Sequence, residues 1–181
     1  MNVRRVVTGH SPEGKAIVAS DSEVEPIRLE TLPGNELHLL WGGDDVSRFP
    51  DDGAPPPAPR YFPPLGGFRF AMFTVPPAAF AAMPEGVTLQ AITEEAEAKL
   101  PGMVEHMEPD APGMHTTDTI DFEYVISGRV VLELDDGVTV KLGPGDTVVQ
   151  NGTRHAWRNP FSEPCRMVVV LIGAERTISP S

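Results

Sequence analysis

The stretch "PGMHTTDTIDFEYVISG", residues 112 to 128, decides how this chain folds. Threonines and an aspartate recur at every second position after His115, and an apolar run then ends at Gly128. Strict alternation is the pattern of a half-buried β-strand, because successive side chains point to opposite faces. Asp121 and Glu123 therefore share one face, and Phe122 and Tyr124 share the other.

The residues on either side extend the β reading. In "RVVLELDDGVTVKL", residues 129 to 142, two alternating segments meet at Asp135-Asp136-Gly137, where glycine supplies the positive φ a tight hairpin needs. "GPGD" at 143 to 146 is the next turn, "TVVQ" a short strand and "NGT" another turn. "RHAWRN" then sets His155 and Trp157 on one face, with Arg154 and Arg158 outward. "CRMVVVLIG" closes the region as a buried strand with little alternation. Short antiparallel strands with regular turns predict a sandwich or barrel.

Upstream, "RRVVTGH", "KAIVAS" and "ELHLLWGG" predict N-terminal strands over residues 1 to 49 that extend a sheet edge. Residues 50 to 64, "PDDGAPPPAPRYFPP", hold seven prolines and predict an exposed loop. The segment 88 to 100, "TLQAITEEAEAKL", predicts a short helix stopped by Pro101-Gly102, serving as a sheet cap or as a lid over a pocket. A chain of 181 residues is expected to form one domain, 1–181, with its core at 113 to 173.

Composition narrows the partners. There are 26 acidic against 14 basic residues, and the basic ones are scattered, which argues against nucleic acid and anionic membranes. The lone cysteine, Cys165, provides no intramolecular disulfide, and no apolar run reaches membrane-spanning length. A cytoplasmic protein with a small-molecule ligand or substrate is the expectation.

With these elements in place, residues 113 to 159 resemble the cupins, a family of small jelly-roll β-barrels. The family's first motif has HxH, then a glutamate, then six residues and a glycine; here these positions read His115, Thr117, Asp121 and Gly128. Its second, PxGxxH followed by three residues and Asn, reads Gln150, Gly152, His155 and Asn159. The resemblance implies an all-β cupin barrel with extra N-terminal strands and one short helix, and a homodimer, since cupins often pair through edge strands. It implies a metal set of His115, Asp121 and His155, two imidazoles and a carboxylate, for a divalent iron, manganese, nickel, cobalt or zinc ion. Thr117 stands where a histidine ligand would be, and Asp121 is one methylene shorter than glutamate.

Three functions follow as expectations. One is a metal-dependent cupin enzyme, a dioxygenase among them, acting on an aromatic, keto-acid or polyketide-like molecule. Here His115, Asp121 and His155 act in catalysis, and Thr117, Glu123 and Trp157 touch substrate. Another is a metal-free cupin in which Asp121 and a histidine perform acid–base dehydration or cyclisation. The third is a ligand-binding or sensing barrel without chemistry.

Overall fold

The computed structural model describes residues 2–79 and 85–177. Among the described residues, strands β1 (Val3–His10) and β2 (Ala16–Val24) pair only with each other; β3 (Ile27–Arg28), β4 (Glu36–Gly43) and β5 (Phe68–Val75) follow. After helix α1 (Leu89–Lys99) come β6 (Thr119–Ser127), β7 (Val130–Glu133), β8 (Thr139–Leu142), β9 (Thr147–Asn151), β10 (Ala156–Arg158) and β11 (Cys165–Gly173). They build a six-stranded sheet ordered β3-β4-β5-β11-β6-β9 and a three-stranded sheet ordered β10-β7-β8. The two curl together as a jelly-roll barrel, the all-β class expected.

The first correction concerns the N-terminus: only β3 and β4 extend the large sheet, while β1 and β2 form a separate two-stranded sheet. Alternation identifies a strand but not its partner, and a hairpin joined through Ser11 and Gly14 satisfies its own ladder. The hairpin is tied to the barrel by the Arg5 guanidinium, which donates to the Leu40 carbonyl at 2.9 Å and lies over the Trp41 ring.

β11 alternates after all. Cys165, Met167, Val169 and Leu171 are buried, whereas Ile172 is exposed. Inside the barrel they pack with Val125, Val130, Leu132 and Leu142 at one end and with Leu37, Ala71 and Leu100 at the other. The expected hairpin forms with both Asp136 (φ 55°) and Gly137 (φ 72°) in the left-handed region, so glycine carries only part of the turn. Gly128 (φ 75°) is required on two counts, since a Cβ there would also lie 2.3 Å from the Pro164 carbonyl oxygen.

On the outer face of the large sheet Phe70, Phe122, Tyr124 and Val149 remain exposed. Val170 pairs with both Phe70 and Phe122, and Phe122 pairs with Val149, so these side chains form one apolar row across four strands.

α1 matches its expected span, with the Thr88 hydroxyl accepting from the Ala91 amide as N-cap. Ala96 and Leu100 are its buried contacts, while Leu89 is exposed, so the apolar stripe is narrower than its spacing predicts. Glu95 clamps the helix to the segment before β4. It accepts from the Glu30 amide at 2.8 Å, the Thr31 amide at 2.9 Å and Lys99 Nζ at 2.7 Å. Lys99 first, then Thr31 and the two amides, hold its carboxyl down at about 2. Glu95→Ala is expected to speed hydrogen exchange of the Glu30 and Thr31 amides by about tenfold or more and leave the β11 amides unchanged. Equal exchange in both proteins would show that the clamp does not hold this segment.

Candidate functional site

The barrel encloses a cavity of about 250 Å³. Its walls are mostly apolar: Leu29 and Leu37 from the N-terminal region, Phe73 from β5, Leu100 and Met103 beyond the helix, and Val169 from β11. Four titratable side chains join this lining: His115, His155, Asp121 and Glu123.

The histidines meet because their backbones do. His115 and His155 exchange both amide–carbonyl hydrogen bonds at 3.0 Å, forming an isolated antiparallel bridge. That juxtaposition brings the ring centroids to 4.1 Å. His115 Nδ1 donates to the Gly113 carbonyl at 3.0 Å and His155 Nδ1 to the Thr153 carbonyl at 2.9 Å. Since a carbonyl only accepts, each neutral ring keeps its lone pair on Nε2. Burial, then the neighbouring His115, pushes His155 down to about 4; burial likewise lowers His115. Both imidazoles are neutral at pH 7. Trp157 stands edge-on to His155 at 6.1 Å and lines the cavity, as its parity predicts.

The carboxylates come from the register of β6 against β11. Asp121 sits opposite Leu171 and Glu123 opposite Val169, two inward-facing residues of β11. Both acids are buried, and each keeps one oxygen, Asp121 Oδ1 and Glu123 Oε2, without a hydrogen-bond partner. Burial pushes Asp121 up to about 6, against a hydrogen bond from Thr119 that lowers it. Burial and then the charge of Asp121 push Glu123 up to about 8. Tyr61 faces the same pair, and its hydroxyl is raised by burial and by both carboxylates.

The metal set implied by the motif spacing is not assembled. Among the described residues no three His, Cys, Asp or Glu side chains group as a metal ion requires. The two imidazoles are held against each other, while Asp121 lies beside Glu123 and Tyr61. His115, Asp121 and His155 line one cavity without forming such a group.

Thr117 departs from its expected role as well: it is buried, its hydroxyl is 2.8 Å from that of Thr119, and it is not among the residues lining the cavity. Two other motif positions are structural. Asn159 Nδ2 donates to the Val75 and Glu163 carbonyls, and Gln150 Nε2 donates to the Thr153 carbonyl at 3.0 Å. His106 packs on Phe62 and its Nδ1 is 3.0 Å from the Thr116 carbonyl, outside the cavity lining.

Reading the sequence missed Tyr61 and Phe62. They lie in the proline-rich loop, stack edge to face at 4.6 Å, and form part of the cavity wall. The available signal was an aromatic pair between prolines, in a loop otherwise of small and polar residues.

Residues 103–171 match the cupin domain family. Over 68 residues the chain is 47% identical to Oryzines biosynthesis cluster protein J of Aspergillus oryzae, covering 37% of this chain and 38% of that protein. Over 63 residues it is 48% identical to Phomopsin biosynthesis cluster protein D of Diaporthe leptostromiformis, covering 34% of this chain and 33% of that one. The matched stretch thus spans about a third of the length of these curated relatives. Among solved structures, the polyketide cyclase RemF of Streptomyces resistomycificus aligns at 21% identity and a TM-score of 0.44, over 86% of this chain and 77% of that one. A cupin 2 conserved barrel domain protein of Salinispora arenicola aligns at 18% identity and 0.41, over 84% and 90%. With its motif glycine, histidines and asparagine set on a jelly-roll barrel, the stretch at residues 103–171 is a cupin domain.

Proposed function

We propose that this cupin is a small-molecule enzyme that moves protons within its barrel, in isomerisation, dehydration or cyclisation. The observation that carries the reading is the pair Asp121 and Glu123. These are two buried carboxyls on one strand, each with an oxygen left unpartnered, and their affinities for protons are held apart at about 6 and about 8. Two titratable groups with separated pKa values near neutrality are the arrangement acid–base chemistry needs.

At pH 7 Asp121 is ionised and is the base, and Glu123 is protonated and is the acid. In a dehydration, Asp121 takes a proton from carbon, the new double bond expels hydroxide, and Glu123 protonates it to water. Transfer of the proton from Asp121 to Glu123 restores the starting state. His155 and Trp157 line the same cavity and would bound the substrate there. The naming of the relatives for biosynthesis clusters supports a small organic substrate.

The test is the pH dependence of turnover in chelator-treated protein. Rate should rise as Asp121 ionises through about 6 and fall as Glu123 loses its proton through about 8, with the two limbs belonging to the pair. Activity lost to chelator and restored by one metal per chain would sink this reading. Such a result would favour the metal-dependent alternative, which the paired imidazoles with free Nε2 lone pairs support.

A further inference from the structure

The charge inventory of the cavity restricts what it can bind. Among the described residues no Lys or Arg lines it, whereas Glu36, Asp121 and Glu123 do. Glu36 is already paired with Arg28 at 2.8 Å. Asp121 and Glu123 have no such partner: the unpartnered Asp121 oxygen is a buried acceptor, and the protonated Glu123 carboxyl offers a carbonyl oxygen as well as its O–H.

The imidazoles add acceptors of the same kind. Both Nδ1 protons are spent on backbone carbonyls, which leaves an Nε2 lone pair on each ring. Most of the chemistry here asks for donors, and the aromatic walls of Tyr61, Phe62, Phe73 and Trp157 ask for a planar or apolar body. An anion entering this space would meet a buried carboxylate and no lysine or arginine of the lining, a juxtaposition that low dielectric makes costly. A buried acceptor left without a donor is likewise costly, and a ligand that supplies one relieves it.

We propose that the cavity selects a non-anionic ring compound bearing hydroxyl or amino donors, and turns away carboxylates and phosphates. The inference rests on the reading of this cavity as the substrate site, and it removes the keto acids from the expected substrates. Asp121 and Glu123 then act in recognition as well as in proton transfer.

Four probes with one benzene ring each hold the apolar contribution nearly constant: catechol, benzylamine, benzoate and phenyl phosphate. Titration calorimetry at pH 7 should show catechol or benzylamine binding at least about tenfold more tightly than benzoate or phenyl phosphate. A catechol preference assigns the donors to neutral hydroxyls, and a benzylamine preference to an ammonium. In the doubly substituted Asp121→Asn, Glu123→Gln protein the preference should shrink to within about threefold. Ring-current shifts of Trp157 and His155 resonances identify the cavity as the site bound.

Benzoate binding as tightly as catechol to wild-type protein would overturn the inference, as would failure of all four probes to bind at about 10 mM. So would undiminished selectivity in a double variant whose near-ultraviolet circular dichroism is native. Because the wild-type comparison needs no mutant, misfolding of that variant leaves the main test intact. Turnover that follows the two-limbed pH profile together with tight benzoate binding would sink this selectivity and spare the acid–base reading. Donor selectivity with no turnover of any donor-bearing compound would do the reverse.

Discussion

Asp121→Asn is expected to lower kcat by about 10²–10⁴-fold, the range that a positioned general base contributes. Asn keeps the shape and one acceptor oxygen, so KM should move by less than about tenfold while the ability to take a proton is gone. Burial already isolates this carboxylate from water, and its pKa near 6 leaves it ionised at neutral pH and basic enough to act. Glu123→Gln makes the complementary change: it should remove the alkaline limb of the pH profile together with most of the rate. Steady-state kinetics across roughly pH 5 to 9, the range in which both groups titrate, separates the two. A rate for Asp121→Asn within about threefold of wild type would remove Asp121 from the chemistry.

The second large effect is on stability. Glu123 takes up a proton at about 8 in the fold, against an ordinary value of 4.5, so the folded state binds the proton more tightly than the unfolded chain does. The contribution is fully present below 4.5 and is lost as pH rises through 8. His155 works in the opposite direction: its lowered pKa makes stability rise with pH between about 4 and 6.5. Above pH 6.5 Asp121 is largely ionised, and the last of the His155 effect, as the unfolded imidazole gives up its remaining proton, offsets only part of the Glu123 loss. At about 1.4 kcal/mol per pKa unit, the Glu123 carboxyl should account for a loss of about 2 kcal/mol between roughly pH 6.5 and 8.5, read as the difference between wild type and Glu123→Gln. Glu123→Gln should lose much less across the same window, as read from urea midpoints at the two pH values. A wild-type midpoint that does not change would mean that Glu123 has an ordinary affinity for its proton.

Much of this site was legible in the strand that opens it. The parity of Asp121 and Glu123 put both carboxyls on one face, and the structure buries both beside β11. Gly128 and the turn at Asp135 to Gly137 were equally readable, because positive φ leaves a mark on residue choice. The grouping of His115, Asp121 and His155 was less readable. Motif spacing aligns residues along the chain, but convergence depends on where each backbone sits, and the bridge between His115 and His155 turns the two rings toward each other. Tyr61 and Phe62 were hidden for another reason: prolines announce a loop, and a loop has no periodicity to say which side chains it folds inward. The separate β1–β2 sheet was hidden because a strand's own pattern is silent about its neighbour.

β6 carries two independent messages interleaved in one strand. Its odd positions, Asp121, Glu123 and Val125, are buried, while its even positions, Phe122, Tyr124 and Ile126, face outward. Point substitutions at 121 and 123 can therefore rewrite the reactivity of the barrel without altering the surface it presents to the outside. A one-residue insertion in the same strand would exchange the two messages, placing aromatic rings in the cavity and carboxylates on the outer row. Chemical diversification of this scaffold is thus open to replacement and closed to slippage.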